Sequence, residues 1–220
     1  MRRRTFLRAA AGAAVVTVAA GAKPPEHFLF RRARFFDHGR YVSVSVAFPE
    51  LLRASDRDAM AWLDSGFETV LRYRFLVLEH GTRREVARAT HTVTIRYDFL
   101  RGDTYEVRAR TDRRTLFRRN YATRAEAIAA ATKLVQWPVV DTRRLVRGGP
   151  HGPAYVVAIV AQRNPLDPTS EGPAADPSVA RAQPRDVQWF GRLVGFLVGE
   201  IPEAEVTVRV RTQPFYLEAR

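Results

Sequence analysis

Apolar and polar residues alternate with a period of two along much of this 220-residue chain. The clearest example is the segment 41–48, in which Val42, Val44, Val46 and Phe48 recur at every second position. Side chains of a β-strand point alternately to its two faces, so the pattern predicts strands with one buried face. This constrains the fold strongly, because a shift of one residue would turn the whole apolar set towards water.

The same alternation predicts seven to nine strands. We expect them near residues 28–36, 41–48, 67–77, 86–99, 105–110, 116–119, 154–161 and 205–216. Asp37–Arg40 and His80–Arg83 have the composition of hairpin turns. The segment 154–161 is apolar on both sides, which predicts a central strand covered on both faces. The side chains expected to face inward from the long hairpin are Phe67, Leu71, Tyr73, Phe75, Val77, Val93, Ile95, Tyr97 and Phe99.

Helical signals are fewer. Residues 50–64 carry apolar side chains at roughly helical spacing, with Ser55 or Asp56 as the N-cap. Thr123 and Glu126 have capping-box spacing and open an Ala-rich helix predicted to run to about residue 136, before Pro138. A Pro-rich loop is expected at 164–186 and a further helix at 187–198. The predicted fold class is therefore mainly β, an antiparallel β-sandwich of about seven to nine strands with two or three inserted or draped helices.

Three short motifs, together with one later tyrosine, carry a resemblance to a known family. They are Leu63-Asp64-Ser65-Gly66-Phe67, Ile95-Arg96-Tyr97-Asp98-Phe99-Leu100, Asn120-Tyr121-Ala122-Thr123-Arg124-Ala125-Glu126-Ala127, and Tyr155 at the start of the later apolar strand. In order and spacing they resemble the bacterial exported family catalogued as domain of unknown function 4390, over about residues 28–217. The resemblance implies no activity, cofactor or catalytic residue. The N-terminal segment and the Pro-rich stretch at 164–186 depart from that family's pattern.

The first 22 residues have the pattern of a twin-arginine export signal. Arg3 and Arg4 precede Phe6 and Leu7, and a weakly apolar run then ends in Ala20-Gly21-Ala22. Small residues at these last positions predict cleavage after Ala22. The run is shorter than the roughly 20 apolar residues that a membrane-spanning helix needs. We therefore expect a signal peptide at 1–22 and one domain at 23–220 in the periplasm or secreted. The alternatives are an uncleaved membrane anchor and an N-terminal core helix.

Charge and cysteine content narrow the function classes. The formal net charge is +13, and subtracting the four arginines of residues 1–22, which hold no acidic residue, leaves +9. The chain has no cysteine, which excludes disulfides, thiolate metal sites and cysteine nucleophiles. A basic exported chain is expected to meet an anionic envelope protein, an anionic polymer or a membrane surface rather than nucleic acid. Codon supply in a GC-rich genome is the competing explanation for the many arginines.

No motif indicates catalysis. The five histidines have none of the spacings typical of metal sites, and the Gly-rich segment 148–152 lacks the lysine of a phosphate-binding loop. Asp56, Asp58 and Asp64 lie on or beside the first predicted helix, where capping and solvation account for them. We therefore predict no cofactor, no metal and a non-enzymatic protein. An enzyme of unrecognised class is the competing hypothesis.

Arginines recur at the outward positions of several predicted strands. If those strands are neighbours, they form one basic face, in which guanidinium groups would bind carboxylates or phosphates. The predicted partner-binding residues are Arg72, Arg74, Arg96, Arg108, Arg110, Arg209 and Arg211. The alternative is a solvated face with cross-strand Arg–Glu pairs, each worth a few tenths of a kcal/mol.

A second functional hypothesis is a carrier of a small ligand or lipid. Aromatic residues are frequent in the predicted strands and would have to enclose a pocket. The side chains expected to line it are Phe67, Tyr73, Phe75, Tyr97, Phe99 and Tyr105.

The twin-arginine prediction is tested by replacing both arginines with lysine (R3K/R4K). Lysine keeps the charge but removes the arginine pair, so we expect uncleaved precursor to accumulate in the cytoplasm. Cell fractionation and immunoblotting measure it, with R31K/R32K as the charge-matched control. Normal export of R3K/R4K would instead indicate the general secretory route.

Overall fold

Ten strands in two sheets make up most of the part of the chain that the structure describes. The structure, a computed structural model, describes residues 28–82, 84–111, 114–165 and 204–219. The strands are β1 (Leu29–Phe30), β2 (Arg34–Asp37), β3 (Tyr41–Ala47), β4 (Thr69–Glu79), β5 (Glu85–Asp98), β6 (Thr104–Thr111), β7 (Thr115–Tyr121), β8 (Lys133–Asp141), β9 (Tyr155–Pro165) and β10 (Ala204–Arg211). The α-helices in these residues are α1 (Arg57–Asp64) and α2 (Arg124–Thr132). The predicted mainly β class is confirmed.

The two sheets differ in size and share one core. The larger has the strand order β1-β10-β9-β4-β5-β6-β7, and the smaller has the order β2-β3-β8. Neighbouring strands are antiparallel except for β1 and β10, which are parallel. One hydrophobic cluster joins residues of both sheets and both helices. The smaller sheet and the helices therefore cover one side of the larger sheet, which we call the inner face.

Aromatic contacts hold the two sheets together. The Trp137 ring of β8 packs edge-on against Tyr73 of β4 and His91 of β5, at centroid distances of 5.9 and 5.1 Å. The Nε2 atom of His91 lies 2.8 Å from the carbonyl oxygen of Pro138. The buried Tyr73 hydroxyl donates to the carbonyl oxygen of Ala131 at 2.8 Å, and burial raises the pKa of this phenol. These contacts fix α2 and β8 over the centre of the hairpin.

The β4–β5 hairpin follows the predicted alternation except at its ends. Leu71, Tyr73, Phe75, Val77, Val93 and Ile95 are buried as predicted, and Tyr97 is half-buried. Phe67 and Phe99 were predicted to face inward, but they are 59% and 63% exposed. Phe67 precedes the first residue of β4, and its ring stacks on Trp62 instead. Phe99 begins a single 3-10 turn after β5 ends.

The predicted first strand is divided between the two sheets. β1 pairs with β10, whereas β2 pairs with β3. Between them the Gln213 side chain accepts from the amide of Ala33 and donates to its carbonyl oxygen. This clamp satisfies the backbone where the chain passes from one sheet to the other. The prediction of one strand over residues 28–36 is therefore wrong.

The two helices begin where predicted, but the second ends early. Asp56 caps α1 by accepting from the amide of Ala59, and Thr123 and Glu126 form the predicted capping box. The helix predicted to reach residue 136 ends at Thr132, and the chain continues directly as β8. Pro138 lies within this strand, which is tolerated because β8 is an edge strand of the smaller sheet.

Two further predictions concern residues outside those described, namely the loop at 164–186 beyond Pro165 and the helix at 187–198. β9 is a central strand of the larger sheet and is buried on both faces, as predicted. Among the described residues, no helix has both the length and the apolar character needed to cross a membrane.

The Tyr73 hydroxyl provides a test of the packing. Y73F keeps the ring contacts but leaves the Ala131 carbonyl without this donor, so we expect a loss of about 1 kcal/mol in the free energy of unfolding. Y73A also removes the ring and should cost about 3–5 kcal/mol. Urea denaturation of purified protein measures both. Equal losses for the two variants would mean that the ring does not support the contact between the sheets.

Candidate functional site

The predicted arginines lie on the face of the larger sheet opposite the core, which we call the outer face. Arg72 and Arg74 alternate with the buried Leu71, Tyr73 and Phe75 of β4. On β5, β6 and β10 the predicted arginines likewise follow buried residues of the same strand. All seven predicted side chains are therefore on one face: Arg72, Arg74, Arg96, Arg108, Arg110, Arg209 and Arg211.

Strand register sets the spacing of this array. Thr92 is the register partner of both Arg72 and Arg110, so one strand separates these two arginines. Val160 is likewise the partner of both Arg74 and Arg209. Each pair is therefore about 10 Å apart between backbones, twice the interstrand distance. This spacing leaves room for an anionic group between two guanidinium groups.

The array has an exposed part and a half-buried part. Arg96, Arg108 and Arg110, on β5 and β6, are exposed, as is Arg211 on β10. Arg72, Arg74 and Arg209 are half-buried near the middle of the sheet. The area most accessible to a large partner is therefore the end of the sheet formed by β5, β6 and β7.

Glu106 organises this accessible end. Its carboxylate accepts from Arg108 on the same strand at 3.1 Å and from Arg118 on β7 at 2.5 Å. Burial acts to raise the pKa of Glu106, but the hydrogen bonds from Arg118 and Arg108 outweigh it and hold the pKa below its usual range. Arg96 is the register partner of Glu106 on β5. One carboxylate thus lies among three guanidinium-bearing positions, which leaves a local excess of positive charge.

Arg118 belongs to this group but was not predicted. Its strand was expected to span only residues 116–119, whereas β7 spans Thr115–Tyr121 and pairs Arg118 with Arg108. The alternation around Arg118 is weak because β7 is an edge strand with little burial. Only the register with β6 assigns Arg118 to the outer face.

The outer face also carries a small apolar cluster that the sequence only partly indicated. Leu76, Leu78 and Ala158 are buried there, with Phe28 and Val156 packed against them. Ala158 is the register partner of both Leu76 and Arg211. The cluster thus lies on the central strands β4 and β9, and the exposed arginines of β5 and β6 lie to one side of it.

The aromatic residues predicted for a carrier do not surround one space. Tyr73, Phe75 and Tyr105 are buried in the shared core, whereas Phe67 and Phe99 lie at the surface. The Tyr73 ring contacts Phe48 and Trp137, and the Phe75 ring contacts His91. Packed side chains thus fill the region where the pocket was expected.

Of the three carboxylates considered for catalysis, Asp56 and Asp64 have structural partners, and Asp58 is exposed. Asp64 accepts from the Tyr105 hydroxyl at 2.6 Å and from the Arg124 guanidinium, which ties α1 to β6 and α2. Burial and the Asp64 hydrogen bond raise the pKa of Tyr105 to about 12. Asp56 caps α1. Within the described ranges, no group of three or more His, Asp or Glu side chains has the arrangement of a metal site.

Comparison with known proteins gives one positive result. A family model described as "Domain of unknown function (DUF4390)" matches residues 41–162, more than half of the chain. The match spans β3 to β9, which include Arg72, Arg74, Arg96, Arg108 and Arg110. No curated protein and no solved structure matches the chain.

The Glu106 group makes stability depend on pH. Because its pKa is lowered in the folded state, ionised Glu106 stabilises the fold above the usual glutamate range, and this contribution is lost as pH falls through the folded-state pKa. We expect E106Q to cost about 1 kcal/mol at pH 7, since the two arginines are partly exposed, and progressively less as the pH falls through the folded-state pKa of Glu106. Thermal melts of E106Q and of the exposed control E218Q measure this difference. A deficit of E106Q that does not shrink as the pH is lowered below the usual glutamate range would contradict the assignment.

Proposed function

Because the chain belongs to the DUF4390 family, whose description names no activity, we propose a function from the site alone: a non-enzymatic, exported interaction module that binds an anionic partner through its outer face. The observation that carries this proposal is the location of all seven predicted arginines on one face of one sheet. Export is supported by the twin-arginine pattern of residues 1–22, which lie outside the described residues. It would bring the basic face into contact with envelope components.

The chemistry of the face favours carboxylates and phosphates. Guanidinium groups present planar, forked donors that match both anions, and they remain charged at any physiological pH. At the accessible end, Arg96, Arg108, Arg110 and Arg118 outnumber the two carboxylates of Glu106 and Asp98. We infer that the partner presents several anionic groups at once, as an acidic envelope protein, an anionic polymer or an anionic membrane surface does. A single small anion would contact too few of these arginines to bind tightly.

The carrier hypothesis has less support than the interaction module. Its six aromatic residues are divided between a packed core and the surface. The outer face, by contrast, combines charge, exposure and regular spacing. We therefore retain the interaction module as the proposed function.

The test is a comparison of two triple variants with the same loss of charge. R96Q/R108Q/R110Q removes exposed arginines of the outer face, whereas R53Q/R143Q/R144Q removes exposed arginines from other parts of the molecule. Vesicles containing phosphatidylglycerol and soluble polyglutamate serve as phosphate and carboxylate probes. At about 1 kcal/mol for each of the three arginines near an anionic surface, the first variant should lose about hundredfold in affinity. The control should bind almost as the wild type does.

Two further observations complete this test. Raising the salt concentration should weaken wild-type binding, because exposed charges are screened within a few Å at high ionic strength. Crosslinking in the intact envelope, followed by mass spectrometry, should capture a partner with the wild type and the control but not with the outer-face variant. If the two triple variants bound with equal affinity, binding would depend only on the net charge of the protein and not on where the arginines lie. That result would overturn the proposed site.

A further inference from the structure

A cavity of about 270 Å³ lies on the inner side of the larger sheet, away from the arginines of the outer face. It is located where β4 begins, β9 ends and β10 begins, beside α1 and its N-cap. Its lining includes Asp56, Asp58, Trp62, Thr69 and Arg163, together with Glu205, which accepts a hydrogen bond from the Asn164 side chain at 2.9 Å. These side chains come from four separate segments of the chain, and none was predicted as part of a binding site.

The Arg163 guanidinium forms one wall and donates three hydrogen bonds to the protein. The side chain is 9% exposed, and Nη1 donates to Asp56 at 2.8 Å and to the carbonyl oxygen of Leu51 at 3.1 Å. Its Nε atom donates to Glu205 at 2.9 Å. A buried charge needs such partners, because its desolvation is otherwise costly. The hydrogen bond from Arg163 is the main cause of the lowered pKa of Asp56, which is therefore ionised at neutral pH.

The charges around the cavity do not balance. Asp56, Asp58 and Glu205 supply three carboxylates against the one guanidinium of Arg163. The cavity thus carries an excess of two negative charges in a chain whose net charge is +13. Asp58 lies on the exposed side, where it can contact an incoming group. A cation entering the cavity would be attracted, whereas an anion would meet three carboxylates and a neutralised arginine.

Thr69 is an independent indication of a ligand. It is 1% exposed and lines the cavity, yet its buried Oγ1 atom has no hydrogen-bond partner in the structure. An unsatisfied buried hydroxyl costs about 1–3 kcal/mol, so native proteins seldom leave one. A donor group bound in the cavity would satisfy this oxygen as an acceptor.

Trp62 supplies an apolar wall. It is 47% exposed, although its ring stacks on Phe67 at 4.8 Å with an interplanar angle of 20°. It is four residues after Asp58 on α1, so the two side chains share one side of the helix. An indole ring beside a carboxylate suits an ammonium group on an aliphatic chain, because the ring face attracts the cation and contacts the methylenes.

We propose that this cavity binds a primary ammonium group carried on a short aliphatic chain, as in a small diamine or a lysine side chain. The carboxylates balance its charge, the Thr69 hydroxyl accepts one of its protons and Trp62 contacts its methylene groups. The site is independent of the arginine face in position and in charge. Its function would be recognition of a cationic ligand rather than catalysis.

The experiment uses three four-carbon probes that differ only in charge. They are 1,4-diaminobutane, 1,4-butanediol and succinate, titrated into the full-length protein in an isothermal calorimeter. We expect saturable binding of the diamine, with the diol binding at least tenfold more weakly. Succinate binding that is unaffected by changes in the cavity would reflect the outer face. No saturable binding of the diamine would overturn the proposal.

Three variants locate the binding. T69V removes the hydroxyl at constant shape and, since Oγ1 makes no hydrogen bond, should fold normally while it weakens diamine binding about tenfold. D58N removes one carboxylate without touching the partners of Arg163 and should weaken it about threefold to tenfold. The matched control, E218Q, loses an exposed carboxylate outside the cavity and should bind as the wild type does. Circular dichroism melts verify that each variant folds.

The possible results test whether the cavity is an ammonium site, and they distinguish a free diamine from a lysine side chain as its ligand. Unchanged diamine affinity in both T69V and D58N, or weaker binding of succinate in T69V, would overturn the assignment of an ammonium site. Tighter binding of the peptide Ac-Gly-Lys-Gly-NH2 than of the diamine would assign the site to a lysine of a protein partner. The reverse order would assign it to a free diamine.

Discussion

The register of β4 between β5 and β9 is the constraint on which the rest of the structure depends. Tyr73 and Phe75 face the core while Arg72 and Arg74, one residue away, face outward. A slip of one residue would bury the arginines and expose the aromatic rings, at a cost that no local rearrangement could offset. Because β4 pairs with both neighbours over almost its whole length, the same register fixes the outer face on β5 and β9.

Much of the fold could be predicted because its signals are local. The alternation in β3, β4 and β5 is visible within each strand, and the capping box of α2 lies within four residues. Two of the errors arose where a distant residue decides the structure. Gln213 divides β1 from β2 by binding the backbone of Ala33, and pairing with β3 turns residues after Thr132 into a strand. Neither partner can be identified from the neighbouring sequence.

The two candidate sites differ in predictability for the same reason. The arginines of the outer face follow from alternation, since each comes directly after an inward-facing apolar residue on its own strand. Arg118 lacks that pattern and is placed only by its register with Arg108. The cavity depends on Thr69, Arg163 and Glu205, which are brought together by the pairing of β9 with β4 and β10. Each of these residues, taken alone, looks like an ordinary polar residue at the end of a strand.

Arg163 connects the alternation to the cavity. Val157, Ile159 and Ala161 occupy alternate positions of β9 and point into the core, and Arg163 is the next residue on the same side. The alternation therefore predicts an apolar side chain at position 163. A guanidinium there requires Asp56 and Glu205, and an apolar residue of similar size often stabilises a protein as well as such an ion group does. Stability alone therefore gives little reason for the charge. An arginine that holds two carboxylates at the wall of a cavity has a clearer role, because it fixes both of them where a cationic ligand would enter.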